Sequence, residues 1–172
     1  MNMARITGAL ASVHDRTTRF GFVLAQVCLC LIVFSYTYET VSQYFFGAPT
    51  WWSNELVAYA LCIGTFLAMP EVTRTGGHIA IGFLTESLGP RASRVAGVLI
   101  AIAGGLTCLA IAWISLRANI SQVERTEMLV RVRPIPKIWI SAWITWGFFS
   151  TGVHFLRNAV SPPSDVINVV TA

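Results

Sequence analysis

Residues 51–82 read WWSNELVAYALCIGTFLAMPEVTRTGGHIAIG, and this stretch decides how the rest of the chain is interpreted. It opens with two aromatic residues and a carboxylate, continues as a mostly apolar run of helix length, and stops at Pro70-Glu71. A short polar turn over residues 74–78 follows, with an arginine, two glycines and a histidine. An ordinary membrane helix does not need this polar layout, so the stretch predicts a membrane helix that also forms a subunit interface.

The overall composition indicates an integral membrane protein. Of the 172 residues, 55% are hydrophobic and 12% are charged, which is about half the charged fraction of ordinary soluble domains. A soluble protein of this size cannot hide so much apolar surface from water, whereas a bilayer solvates it. The net charge is +4. Because the basic residues lie between apolar runs, they favour anchoring at the membrane surface over nucleic-acid binding.

Four apolar runs are long enough to cross a bilayer, at a rise of about 1.5 Å per residue against a hydrocarbon core of about 30 Å. They cover about 20–46, 51–73, 94–117 and 137–157. Residues 1–19 are predicted to be a short amphipathic or disordered lead-in, and Pro70 is predicted to bend or end the second helix. The predicted fold class is therefore all-α integral membrane, with four transmembrane helices in a single membrane domain over residues 1–172.

Between the second and third runs, residues 78–89 predict a short amphipathic helix that lies in the plane of the membrane interface. A helical projection gathers most of the apolar side chains on one broad face: Ile79, Ala80, Ile81, Phe83, Leu84 and Leu88. This segment is too short to span the bilayer, so an interfacial position suits it. Gly89-Pro90 is a stop signal for the helix.

Orientation is predicted from the basic residues in the short loops. Three precede the first helix, three lie between the second and third, and one lies in the tail, while the opposite side has none in loop one and five in loop three. The contrast across the first helix, three against zero, places both termini in the cytoplasm. The basic third loop then lies outside and needs a separate explanation.

The sequence contains no arrangement typical of catalysis. It has no HExxH, Walker loop or GxGxxG, and no Ser-His-Asp set in a known context, so we expect no enzyme activity, no cofactor and no metal site. His78 has no second ligand-type residue nearby. The four cysteines lie inside apolar runs and are interpreted as packing residues. Gly97, Gly104 and Gly105 in the third run predict close approach of another helix.

Two carboxylates near the ends of the second helix each have two interpretations. Glu55 is either a favourable charge in the first turn, near the positive end of the helix dipole, or a polar contact to a partner subunit. Glu71 is interpreted first as a local partner of Arg74, three residues further on. The tryptophans at 51, 52, 139, 143 and 146 are interpreted as a membrane-interface belt or as packing residues.

The ordered set of motifs in this stretch resembles the small membrane subunit, DctQ type, of the tripartite ATP-independent periplasmic (TRAP) transporters. The resemblance is carried by Trp52, Glu55, Tyr59, Thr65-Phe66-Leu67 and the run from Arg74 through Gly76 and His78 to Gly82, with Ile135, Pro136 and Trp139 resembling the beginning of the family's fourth helix. The layout fits over about residues 15–158. The chain departs from the family pattern at Asn54, Ala58, Ile63, Pro70-Glu71 and Gly82.

The resemblance implies a non-catalytic scaffold in the inner membrane of a bacterium, with a large membrane subunit and a periplasmic substrate-binding protein as partners. Sodium and an organic acid would be bound by those partners rather than by this chain, which would contact the lipid bilayer and no nucleic acid. The implied candidates for partner contacts are Trp52, Glu55, Tyr59, Arg74, Gly76, His78, Arg125, Arg131, Arg133, Pro136 and Trp139.

Two questions stay open at the level of sequence. Arg125, Arg131 and Arg133 in loop three are candidates to contact either an acidic binding protein or lipid headgroups. A self-sufficient small transporter or channel, acting as a homo-oligomer, is the alternative to the scaffold. The transported substrate is not encoded in this chain, because in this family the specificity lies in other subunits.

Overall fold

The computed structural model describes residues 3–48, 50–75, 90–125, 128–129 and 135–160. In these ranges the chain forms four α-helices: α1 (Met3–Phe46), α2 (Ser53–Arg74), α3 (Pro90–Glu124) and α4 (Ile138–Val160). Two short antiparallel strands, β1 (Met128–Leu129) and β2 (Ile135–Pro136), pair just before α4. The predicted all-helical class is confirmed, while the predicted interfacial helix over 78–89 lies outside the described residues.

Three of these helices are long and apolar enough to cross a membrane: Ala11–Phe46 within α1, the whole of α2, and Val95–Glu124 within α3. Helix α4 has 23 residues against 22 in α2, but its tryptophans, glycines, hydroxyl residues and histidine dilute the aliphatic ones. Length and composition therefore support three of the four predicted spans by themselves.

Two helices extend beyond the apolar runs that predict them. Helix α1 has 44 residues, or about 66 Å of helix, which is about twice the thickness of a hydrocarbon core. It includes the segment expected to be an amphipathic or disordered lead-in, because no proline interrupts the polar residues before Phe20. Helix α3 likewise continues past Arg117 to Glu124, a stretch without glycine or proline. Pro70 lies inside α2, which continues for another turn to Arg74.

The helices pack in the order α1, α2, α4, α3, so that α2 and α4 are central and α1 and α3 flank them. Small residues stand at each contact. A β-carbon added at Gly64 of α2 would lie 3.1 Å from the β-carbon of Cys28 in α1. One added at Gly147 of α4 would lie 2.6 Å from the carbonyl oxygen of Phe66 in α2. Helix–helix packing through small residues is typical of membrane proteins.

The helix bundle has two ends, which we call the terminal end and the hairpin end. The terminal end contains the beginning of α1, the last turn of α2 and the last turns of α4. These segments are joined by an ion pair between Asp15 and Arg157 and by a hydrogen bond from Asn158 to Thr73. The hairpin end contains the end of α1, the beginning of α2, the end of α3 and the β1–β2 ladder. There the rings of Tyr38 and Trp52 lie 5.8 Å apart.

The apolar surface lies mostly on the outside of the molecule. In the described ranges the buried hydrophobic residues are few and mainly small: Ala25, Val57, Ala60, Leu67, Ala101, Cys108 and Ala112. Large side chains such as Phe34 of α1 and Ile114 of α3 are each 67% exposed. Such a surface requires lipid or another apolar protein around it.

Candidate functional site

Helix α4 carries the main line of polar side chains at the terminal end. Ser150, His154 and Arg157 are four and three residues apart, so they form one stripe along the helix. Ser150 and His154 have no exposed surface, although they lie in a helix that is otherwise strongly apolar. Buried polar groups need hydrogen-bond partners, and helix α1 provides them.

His14 and Thr18 of α1 lie one turn apart and face this stripe. His14 Nε2 is 2.9 Å from Ser150 Oγ, and His154 Nε2 is 3.0 Å from Thr18 Oγ1. The two imidazole rings stack with their centroids 4.4 Å apart. The beginning of α1 is therefore joined to α4 by a specific polar contact, rather than being a loose lead-in.

The hydrogen bonds determine the tautomer of His154. Thr18 Oγ1 donates its single hydrogen to the carbonyl oxygen of His14, at 3.0 Å. The same oxygen must then accept a hydrogen from His154 Nε2, since a hydroxyl group has only one to donate. The other nitrogen of the neutral ring, Nδ1, therefore carries a lone pair. It is buried, and among the described residues it has no hydrogen-bond partner.

A two-point ion pair closes the cluster on its solvent side. Arg157 Nη1 and Nη2 donate to the two carboxylate oxygens of Asp15 at 2.5 and 3.0 Å, the bidentate arrangement that arginine forms with carboxylates. Asp15 Oδ1 is also 4.0 Å from His154 Nδ1. The Asp15 side chain is 31% exposed, so water reaches this edge of the cluster.

The last turn of α2 lies beside this cluster and is held by two further contacts. Arg74 donates to both carboxylate oxygens of Glu71, at 2.7 and 2.5 Å, which confirms the local pair predicted from their spacing. Asn158 Nδ2 donates to the carbonyl oxygen of Thr73 at 2.8 Å. The carbonyl groups of a final helical turn have no partner within the helix, so α4 satisfies one of them for α2.

His14, Asp15 and His154 are the candidate ligand set at this end. Each offers one ligand atom, and the three atoms lie within 4.8 Å of one another. We call these three residues the triad. Nothing in the sequence pattern brought them together, because His14 and Asp15 lie near the amino terminus and His154 near the carboxyl end of α4. The available signal was a histidine inside an apolar helix, a costly position unless it is paired.

Among the residues predicted from sequence that the structure describes, Arg74 lies at the terminal end, and the others lie along α2 or at the hairpin end. Glu55 lies in the first turn of α2, the position expected for it. Trp52 immediately precedes that turn, half-buried against Tyr38. Tyr59 is half-buried further along the helix, and its hydroxyl group has no hydrogen-bond partner among the described residues. Arg74 lies at the terminal end, so the structure does not bring these four side chains into one site.

The remaining predicted residues belong to the third loop and to the turn after α2. Arg125 is exposed at the end of α3, Pro136 pairs with Met128 in the strand ladder, and Trp139 is 69% exposed in the first turn of α4. Gly76, His78, Arg131 and Arg133 lie outside the described residues. The roles assigned to all of these positions stay predictions.

A second polar line joins α3 to α4 at the hairpin end. Ser115 Oγ and Thr145 Oγ1 are 2.7 Å apart, and Asn119 Nδ2 donates to Thr145 Oγ1 at 2.8 Å. Beside it lies an apolar groove of about 880 Å³, with Trp113, Leu116 and Phe149 among its lining residues. Hydrogen bonds across membrane helices stabilise their contact and fix its register, so this line sets how α3 lies on α4.

These features define a multi-pass membrane protein whose helices are held by small-residue contacts and by polar clusters at both ends. The chain belongs to the family described as tripartite ATP-independent periplasmic transporters, DctQ component. The family match covers residues 29–162, more than three quarters of the chain, and confirms the resemblance found in the motifs. No match was found among curated proteins. The chain is therefore a membrane component of a tripartite transporter.

Proposed function

We propose that this chain is the small, non-catalytic membrane subunit of a sodium-coupled TRAP-type system that takes up an organic acid. Its role is to scaffold the large transport subunit in the bacterial inner membrane. The proposal includes four spans, an interfacial helix between α2 and α3, and both termini in the cytoplasm. Sodium and substrate are bound by the partner subunits.

The family match carries this proposal. A component of a tripartite system implies a large membrane subunit and a periplasmic binding protein as its partners. The sequence motifs from Trp52 to His78 lie largely within α2, which is one of the two central helices. The family pattern therefore runs through the part of the molecule that organises the other helices.

The distribution of apolar surface supports a scaffold. Helices α1 and α3 flank the central pair and expose large side chains along their length, including Leu29, Phe34, Leu106 and Ile114. Between them they offer two lateral apolar faces, one for lipid and one for a second membrane protein. Membrane helices associate through van der Waals packing and hydrogen bonds rather than through the hydrophobic effect, so broad helical faces suit this role.

Co-purification tests the proposal. The tagged chain is expressed with the large membrane subunit of its own tripartite system, extracted in detergent, and reconstituted in liposomes with the binding protein of that system and a sodium gradient. We expect a stable complex of the two membrane proteins that transports, and no transport by this chain alone. Liposomes with the large subunit alone are the control. A stable homo-oligomer of this chain that transports unaided would contradict the scaffold and support the channel alternative.

A further inference from the structure

The triad at the terminal end has the chemistry of a metal site. Two imidazoles and one carboxylate, from helices α1 and α4, present ligand atoms within 4.8 Å of one another. We propose that His14, Asp15 and His154 bind a divalent transition-metal ion, with zinc as the probe, and that the ion fastens the amino-terminal part of α1 to α4. This inference does not depend on the proposed function.

The hydrogen bond of His154 orients its ring and leaves one ring nitrogen able to bind a metal ion. Its ring is fully buried, and its Nε2–H is held by Thr18 Oγ1 at 3.0 Å, which leaves the lone pair on Nδ1. Metal-binding histidines usually donate their second nitrogen to an oxygen in this way, and the bond fixes the tautomer and the ring orientation. The buried Nδ1 has no hydrogen-bond partner among the described residues, and this is the group that a cation would satisfy.

His14 repeats the arrangement. Its Nε2 lies 2.9 Å from Ser150 Oγ, and its Nδ1 is buried without a hydrogen-bond partner in the described part of the chain. Each ring therefore has one nitrogen against a hydroxyl group, and His14 presents a lone pair on Nδ1 in the tautomer that donates Nε2–H to Ser150 Oγ. Two such rings stacked 4.4 Å apart are held close together by the helices that carry them.

Asp15 supplies the negative charge. A carboxylate has about four lone-pair positions, so the two hydrogen bonds from Arg157 leave room for a metal ion and orient the group. Asp15 Oδ1 and His154 Nδ1 are 4.0 Å apart, against about 3.4 Å between ligand atoms in a tetrahedral site with bonds of about 2.1 Å. A side-chain shift of about half an ångström closes that gap, whereas a pair at the 4.8 Å limit of the cluster needs about 1.4 Å to reach the tetrahedral spacing. Water completes the coordination from the exposed side.

The ligand types select the class of ion. Imidazole with carboxylate suits zinc, cobalt, nickel and iron(II), whereas magnesium and calcium prefer oxygen ligands alone. The competing occupant is a proton on His154 Nδ1, which the Asp15 carboxylate 4.0 Å away would attract. The experiment must therefore separate metal binding from protonation.

The test measures metal in the full-length chain, purified in detergent with an affinity tag that contains no histidine. Zinc content after dialysis gives the stoichiometry, and cobalt substitution gives a visible spectrum that reports the ligands. We expect one zinc per chain, with affinity at least tenfold weaker in His14→Gln and in His154→Gln. The matched control is His78→Gln, because His78 is the one histidine of the sequence outside the triad, and zinc affinity should not change in this variant.

A second pair of variants tests the role of Thr18 as a positioning residue. Thr18→Val removes the acceptor for His154 Nε2–H and should weaken zinc binding about 10- to 100-fold, the usual cost of losing such a partner. Thr18→Ser keeps a hydroxyl group and should restore most of the affinity. A purely structural role for the cluster would change stability in these variants without changing the cobalt spectrum.

Several results would overturn the proposal. They are no zinc retained at low micromolar free metal, equal weakening in His78→Gln, or sulfur-to-cobalt charge-transfer bands that assign the metal to cysteines. If His154→Gln does not fold, the melting temperature of the wild-type chain decides. If zinc binds only the folded state, it must raise this melting temperature reversibly. The absence of a shift refutes the metal site and leaves a proton as the occupant.

Discussion

Gly147 is the glycine that leaves the least room for a side chain among the described glycines, and it lies against α2. A β-carbon there would lie 2.6 Å from the carbonyl oxygen and 2.9 Å from the β-carbon of Phe66. Because the first of these atoms belongs to the backbone, Gly147→Ala can only be accommodated by moving the two helices apart. We expect the substitution to destabilise the protein by about 1–3 kcal/mol, the usual cost of overpacking, measured as a lower melting temperature in detergent.

The matched control is Gly97→Ala in α3, where a β-carbon would meet nothing within 4 Å. Alanine is the better helix former by up to about 1 kcal/mol, so this variant should be neutral or slightly stabilised. If both variants melt at the wild-type temperature, the contact between Gly147 and Phe66 is not a tight one.

The glycines also show how far residue-level prediction reaches. Among the three predicted from sequence to permit close packing, Gly105 faces Leu156, with only 3.0 Å for an added β-carbon, and Gly104 faces Phe155 at 3.5 Å. Gly97 has no neighbour at that distance. Composition indicates that small residues serve packing, but the helix register decides which of them do.

At the scale of elements, the β1–β2 ladder pairs two segments of the connection between α3 and α4. Met128 pairs with Pro136 and Leu129 with Ile135, so the strands bracket residues 130–134, a segment that includes Arg131 and Arg133. Arg125 is exposed where α3 ends. We predict that these three arginines face the periplasm and attract an acidic surface of the binding protein.

Neutralising all three arginines with glutamine should lower uptake at limiting binding protein several-fold. Added salt should reduce the difference, because exposed charges act mainly on the rate of encounter and are screened. The control replaces Arg5, Arg91 and Arg94, which are predicted to be cytoplasmic. Unchanged uptake across all binding-protein concentrations would instead favour lipid headgroups as the contact.

Helix α1 shows why element boundaries were harder to predict than element identity. Hydropathy marks where a helix meets the membrane, not where its hydrogen-bonded backbone ends. The polar residues before Phe20 continue the helix because His14, Asp15 and Thr18 each have a partner in α4. Helical stability in proteins comes largely from such tertiary contacts, which a linear sequence does not display.

For the whole molecule, the main prediction is the number of membrane crossings. Four spans place both termini on one side, whereas three would separate them. In a variant without the four native cysteines, single cysteines at Gly8, Tyr44 and Val160 test this, since all three positions are exposed. An impermeant maleimide should label Tyr44→Cys from the periplasm, and Gly8→Cys and Val160→Cys only after the membrane is opened.

Opposite labelling of Gly8→Cys and Val160→Cys in intact cells would contradict the four-span arrangement and with it the proposed orientation. Labelling of each variant after solubilisation in detergent is the control for reactivity. The three positions sample both ends of the bundle, because Gly8 and Val160 belong to the terminal end and Tyr44 belongs to the hairpin end.

The sequence by itself determined the helical class, the apolar faces, the local Glu71–Arg74 pair and the family, because these depend on composition and on spacing within a few residues. Only the tertiary structure decided that His14 and Asp15 meet His154, that Asn158 satisfies the end of α2, and that Gly147 packs against the backbone of Phe66. The physical reason is register. Two helices far apart in the chain bring side chains together only when their packing fixes which turns face each other, and no local pattern records that choice.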